Sequence, residues 1–192
     1  MPAVQARRFT VQEYYRMTEQ GILSPSERTE LVNGEIIKMV AKGTAHTSAV
    51  LLVQDVFKER LGRRVFVKSQ DPVQMFDDSE PEPDVAVVKR DPLAYSTHHP
   101  LPEEVLLLIE VADSSLKYDL ETKAILYARA EISEYWVLDV LERQLHVFRQ
   151  PHQGRYQSQA ILAETLEVTP LAFADCAIAI QDLLPPTAKT QD

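Results

Sequence analysis

The 192-residue chain is short of several residues that mark common protein classes. It has one cysteine, Cys176, which excludes an intrachain disulfide and a multi-cysteine zinc cluster. Cys176 lies in the apolar stretch 171–180 and reads as a small core residue rather than a nucleophile. Glycine numbers only five, and neither a Gly-x-Ser-x-Gly elbow nor a phosphate-cradling P-loop is present. The longest purely aliphatic run is 105–109, far below the roughly 20 apolar residues of a membrane helix. The first eight residues contain no apolar signal-peptide core. A cytoplasmic protein with no membrane partner is therefore expected. Positive charge is scarce too: 20 basic against 29 acidic residues leave a net charge of −9. Such a chain is not expected to coat nucleic acid by charge alone.

What is present is unevenly spread. Residues 1–70 hold 11 basic and 7 acidic residues, a balance of +4. Residues 71–192 hold 9 and 22, a balance of −13. Asp77, Asp78, Glu80, Glu82 and Asp84 fall within eight positions. That run is either a solvated acidic loop or a place that attracts cations. The length and the 45% hydrophobic content suit one ordinary domain, taken as residues 1–184, with 185–192 as a disordered tail.

Thr10-Val11-Gln12-Glu13 is a capping-box pattern and predicts a short helix ending near Gly21. Residues 24–26 read as a loop. Asn33-Gly34 between the β-prone segments 29–32 and 35–40 predicts a hairpin on a type I′ turn. Apolar residues at helical spacing (Ala49, Leu52, Val53, Val56, Phe57, Leu61, with the Arg60 stem) predict a helix over 46–61, stopped by Gly62. Strands are expected at 65–68, 72–76 and 85–88, with Pro81 and Pro83 extending the acidic loop. Residues 91–102 read as a loop in which His98-His99 lacks companions at zinc-ligand spacing. Residues 105–111 read as a strand buried on both faces, and 118–130 as a helix. Strands at 135–139 and 144–149 form an expected hairpin, with a further strand near 156–161. Tyr135-Trp136 reads as core. The order implies a mixed α/β sheet with helices packed on it.

Two carboxylates occupy positions that folding alone disfavours. Asp84 precedes one apolar strand and Glu110 lies near the end of the other. A buried carboxylate is costly unless paired, protonated or metal-bound. If the strands are neighbours, the two side chains can share one hard divalent cation, Mg²⁺ or Mn²⁺. Lys123 follows on the next helix, where Asp119, Lys123 and Tyr127 are spaced i, i+4, i+8. The same spacing also describes a surface ion pair between Asp119 and Lys123. Alternation puts Glu30 on the face of Val32, which would turn it inward; otherwise it is a charge at a hairpin end.

Pro83-Asp84-Val85, Ile109-Glu110-Val111 and a nearby lysine resemble the PD-(D/E)XK nuclease superfamily. Further segments are similar to one branch, the Uma-type restriction endonuclease family. They are 29–36, His46, 118–123 and 134–139, and the resemblance spans about residues 10–150. It implies a restriction-endonuclease-like core. It implies Asp84 and Glu110 as metal ligands, with the Val111 carbonyl as a further candidate. Glu30 matches an additional acidic residue near the metal, and Lys123 a lysine moved from the strand to the next helix. Position 112, where the superfamily carries its lysine, is Ala112. His46 matches a histidine that either contacts a ligand or caps the core helix.

The implied activity is Mg²⁺- or Mn²⁺-assisted hydrolysis of DNA phosphodiester bonds by a homodimer. Arg60, Arg63, Arg64 and Lys68, the densest basic cluster, are either phosphate contacts or an ordinary solvated helix end. Two other readings stay open: an inactive nuclease-fold module that binds nucleic acid or protein, and an oligomer formed through strands within 135–148.

Overall fold

The computed structural model describes residues 5–24 and 26–187. Pro25 of the expected 24–26 loop and residues 188–192 of the expected tail lie outside the described residues. Pro185, at the start of that tail, accepts a hydrogen bond from Arg143 Nη1 at 2.9 Å.

Six strands form the central sheet, in the order β3-β4-β5-β6-β7-β8. They are β3 (Phe66–Lys68), β4 (Val85–Val88), β5 (Val105–Ala112), β6 (Glu134–Asp139), β7 (Gln144–His152) and β8 (Arg155–Ala163). Only β5 and β6 pair parallel; every other neighbour in this sheet is antiparallel. A parallel neighbour needs a crossover, and the helical run from Leu116 to Arg129 supplies it. Helices therefore flank a mixed sheet, as the element order implies.

Alternation along the strands divides the core in two. Val85, Val87, Leu107, Ile109 and Val111 face helix α2 (Thr44–Leu61) and its Ala49, Val53 and Phe57. Cys176 is buried in this same cluster. Ala86, Val88, Leu108 and Ala112 face the crossover helices. Glu110 lies in step with Leu108 and Ala112, so the pleat aims it at the crossover.

Helix α1 (Val11–Glu19) opens on the full capping box, with Thr10 Oγ1 accepting from Glu13 N–H and Glu13 Oε2 from Thr10 N–H. Strands β1 (Thr29–Val32) and β2 (Glu35–Lys38) form a separate hairpin. Asn33 and Gly34 carry the positive φ values of 50° and 73° that a type I′ turn requires. Glu80 N–H joins β1 by donating to Leu31 O at 2.8 Å. Two further strands, β9 (Glu167–Val168) and β10 (Ile178–Ala179), pair antiparallel beside the core.

Several expectations need correction. Residues 72–76 are no strand: Val73 N–H donates to Pro81 O and Met75 N–H to Ser79 O, so the segment folds back on the acidic loop. Within α2 the expected face is buried at Ala49, Val53, Phe57 and Leu61, but Val50 joins it and the Arg60 stem does not, being exposed. Residues 135–148 offer no free edge, because β6 and β7 are interior strands; the edges are β3 and β8. The acidic run is not uniformly solvated either, since Glu80 and Asp84 are buried. No helix among the described residues is long and apolar enough to cross a membrane.

Candidate metal centre

Each expected site residue has a definite place, and four of them converge. Asp84 sits at the N-terminal end of β4, and Glu110 near the C-terminal end of β5. These strands run antiparallel with Val85 opposite Ile109, which brings the two ends together. Asp84 N–H donates to Glu110 Oε2 at 3.1 Å, and Val111 N–H donates to Asp84 Oδ2 at 3.0 Å. Glu30 turns inward from β1, buried like Val32, and its Oε2 accepts from Glu82 N–H at 3.0 Å.

Lys123 reaches this group from the crossover. That helix starts as α3 (Leu116–Tyr118), widens into a π turn over Asp119–Lys123, and continues as α4 (Ala124–Arg129). A π turn inserts a residue into the helix and is common at functional sites. Asp119, Lys123 and Tyr127 are all buried, so the surface ion pair does not form. Lys123 Nζ donates instead to Glu30 Oε2 at 2.7 Å and to Glu110 Oε1 at 3.1 Å. Tyr127 Oη donates to Glu110 Oε1 at 2.7 Å.

His46 does not cap α2, which begins at Thr44. Its Nε2 lies 3.0 Å from Asp84 Oδ2, and its buried Nδ1 has no partner among the described residues. Lys42, which sequence reasoning missed, donates to Asp84 Oδ1 at 2.9 Å. Gln70 Nε2 donates to the same oxygen at 3.3 Å, and Ser69 Oγ donates to the Asp84 carbonyl at 2.9 Å. No spacing pattern marks Lys42, because it sits on the irregular segment between β2 and α2 and meets a strand 42 positions away.

The basic residues divide. Arg60 lies in the last turn of α2, and Arg63 and Arg64 in the 3₁₀ turn Gly62–Arg64 that follows it, all more than about 20 Å from His46 at 1.5 Å per residue. Arg64 is paired with Asp175 through two bonds, at 2.7 and 3.0 Å. Lys68 ends β3 and pairs with Asp71 at 3.4 Å.

Glu30, Lys42, His46, Asp84, Glu110 and Lys123 line one cavity of about 140 Å³, room for several waters, and Arg60, Arg63, Arg64 and Lys68 do not. Its carboxylates are Glu30, Glu82, Asp84, Glu110, Asp113 and Asp119, against Lys38, Lys42 and Lys123. Crowded, buried acids titrate abnormally. Burial raises Glu110, and Asp84 and Glu30 add to the rise while Lys123 opposes it. Burial, then the charge of Glu110, pushes Asp119 up to about 8. Burial also works to raise Asp84, but the His46 bond and the Lys42 charge outweigh it and hold this carboxyl at about 2. Burial opposes the charge on Lys123, yet Glu110 and Glu30 prevail and keep it protonated well beyond the usual lysine range.

A second cluster lies at the opposite end of the same strand pair. Asp91, His98 and Glu104 each offer one ligand atom, all within 4.8 Å of one another, and could hold a metal ion. His98 therefore has acidic companions that its sequence neighbours did not reveal. No other group of three or more such residues reaches that spacing among the described residues. In the second cluster Asp91 Oδ1 accepts from the N–H groups of Leu93 and Tyr95, and Glu104 Oε2 from Leu101 N–H, just as the Asp84 and Glu110 oxygens have donors of their own.

The family model Uma2, described as "Putative restriction endonuclease", matches residues 11–181. The chain belongs to the Uma2 family. The match includes every residue of the first cavity. A solved structure from Anabaena variabilis, described as a "putative nuclease belonging to DUF820", shares the fold with a TM-score of 0.72. It is 17% identical, and the alignment covers 91% of this chain and 97% of that one. Curated proteins give no match. Within the Uma2 match, the Asp84–Glu110 end of the sheet gathers the greatest number of buried charges.

Proposed function

We propose that this Uma2 member is a metal-dependent endonuclease of the PD-(D/E)XK type that hydrolyses phosphodiester bonds in DNA. One observation carries the reading: Glu30, Asp84, Glu110 and Lys123, each buried, meet at a single cavity, although folding alone gives no reason to gather them. The donor set fits a hard cation, because carboxylate oxygens suit Mg²⁺ or Mn²⁺. Asp84 and Glu110 would hold it, with waters completing the shell. Bound there, the ion would supply Lewis-acid polarisation of a phosphate oxygen and acidify a water.

The chain's own residues do the rest. Val111 N–H and His46 fix Asp84 Oδ2. Lys123 and Tyr127 fix Glu110 Oε1, leaving its Oε2 on the Asp84 backbone. Asp119, held protonated below about pH 8, keeps one negative charge out of the crowded cavity. In this reading DNA is the substrate, the working form is a homodimer and the protein is cytoplasmic; sedimentation and cell fractionation test the last two.

A second reading, a nuclease-fold module that binds without cutting, is favoured by two observations. Position 112 is alanine, and both bonds of Lys123 go to carboxylates. Plasmid nicking in Mg²⁺ or Mn²⁺ separates the two. Wild type should nick, and Glu110→Ala should be inactive. Equal rates for both proteins, or no nicking by wild type across varied DNA substrates, would reject the nuclease.

A further inference from the structure

Three lysines line the cavity; Lys38 turns outward to pair with Glu27 at 2.9 Å, and the other two are held differently. Lys123 is 4% exposed in its side chain and lies between Glu30 and Glu110. To touch anything else it would have to abandon a buried carboxylate, which is strongly unfavourable. Lys42 has one acidic partner, Asp84 Oδ1, and its side chain is 18% exposed. It stands on the segment 39–43, which lines the cavity, and its neighbour Val40 is 75% exposed.

The two oxygens of Asp84 are also held unequally. Oδ2 is fixed by Val111 N–H and His46, whereas Oδ1 meets only the Lys42 and Gln70 side chains. A divalent cation on Asp84 would compete with the Lys42 ammonium for Oδ1. Asp84 itself would stay in place through Oδ2. Lys42 would then be free beside the cation, on the more exposed side of the cavity. Its compact ammonium on a flexible stem suits a single phosphate oxygen.

We propose that Lys42 is the lysine that contacts the scissile phosphate, exchanging Asp84 Oδ1 for a phosphate oxygen. The proposal rests on the nuclease reading of this cavity. Lys123 is then a positioning residue that orients Glu30 and Glu110.

The test compares full-length wild type with Lys42→Ala, Lys42→Arg and Asp84→Asn. Mn²⁺ binding is measured by calorimetry. Binding of a labelled DNA duplex is measured in Ca²⁺ over a salt series, and nicking is measured in Mn²⁺. Lys42→Ala should bind Mn²⁺ at least as tightly as wild type, because a competitor for Oδ1 is gone. Its DNA affinity should fall about tenfold, and the slope of log affinity against log salt should drop by about 0.9, the value for one lost phosphate contact. Nicking should fall at least about 100-fold, by the same loss of a charge-stabilising contact. Lys42→Arg should recover the salt slope. A purely structural lysine would change the melting temperature and leave that slope alone.

Unchanged slope and nicking in Lys42→Ala would overturn the proposal while the nuclease reading stands. A wild type that binds DNA without nicking, with the slope reduced in Lys42→Ala, would sink the nuclease and with it the scissile-phosphate role, leaving Lys42 as a contact to DNA phosphate only. A wild type that binds no DNA overturns the Lys42 assignment; if its Mn²⁺ binding disappears in Asp84→Asn, the metal centre alone survives.

Discussion

Asp84 and Glu110 each bind the other's strand. The Asp84 N–H donates to Glu110 Oε2 at 3.1 Å, and Asp84 Oδ2 accepts from the N–H of Val111, the residue after Glu110. The pair thus stitches β4 to β5 at the end where the strands leave the sheet. Asp84→Ala would leave the buried Val111 N–H without its acceptor, at a cost of about 1–3 kcal/mol. Urea unfolding should show this loss, and Asp84→Asn, which retains an acceptor oxygen, should lose less. Equal stability of Asp84→Ala and wild type would contradict the stitch.

Lys123 neutralises two buried acids at once. Lys123→Met should destabilise the fold by about 3–5 kcal/mol, since breaking a buried ion pair strands an uncompensated charge. Adding Glu30→Gln to that variant should recover part of the loss. Chemical denaturation of the single and double variants checks both, and a double variant no more stable than Lys123→Met would contradict the coupling.

Tyr127 donates to the carboxylate that the proposal assigns to the metal. Tyr127→Phe should cost about 1.5–3 kcal/mol, the range for a hydrogen bond to a charged group. It should also weaken Mn²⁺ binding in calorimetry, because Glu110 loses one of the groups that aim it. Affinity equal to wild type would show that Tyr127 only fills space.

Acid titration gives stability a pH signature. Burial and Glu110 raise Asp119 from 3.8 to about 8. The folded chain therefore holds that proton more tightly than the unfolded chain, and the contribution is lost as pH rises from about 4 to 8. Asp84 works the other way: held at about 2, it contributes above its ordinary 3.8 and loses that contribution as pH falls toward 2. Asp119→Asn should flatten the decline in melting temperature between about pH 4 and 8. A variant curve parallel to wild type would refute the assignment.

Strand and helix signals carry over from sequence to structure wherever one local pattern decides. The Asn33-Gly34 turn, the Thr10–Glu13 box and the apolar run of β5 each depend on neighbours in the chain. Residues 72–76 failed because their partner is a backbone loop rather than a strand, which alternation cannot report. Glu110 was legible because a carboxylate ending an apolar strand is anomalous. Glu30 was legible through the parity it shares with Val32 and through the resemblance of segment 29–36. Lys42, Gln70 and the His46–Asp84 contact were not, because their roles come from contacts between distant segments. The Asp91–His98–Glu104 cluster stayed hidden for the same reason: a loop folds two acids onto a histidine that has no metal-binding spacing in sequence.

Crystals soaked in Mn²⁺, with anomalous scattering collected at the manganese edge, test the metal centre directly. The expected map has a peak within about 2.0–2.6 Å of carboxylate oxygens from both Asp84 and Glu110, the range of bonds to hard cations. Lys42 should have moved off Asp84 Oδ1 in the same map. A peak confined to Asp91, His98 and Glu104, or no peak between Asp84 and Glu110 at saturating Mn²⁺, would contradict the assignment of this cavity.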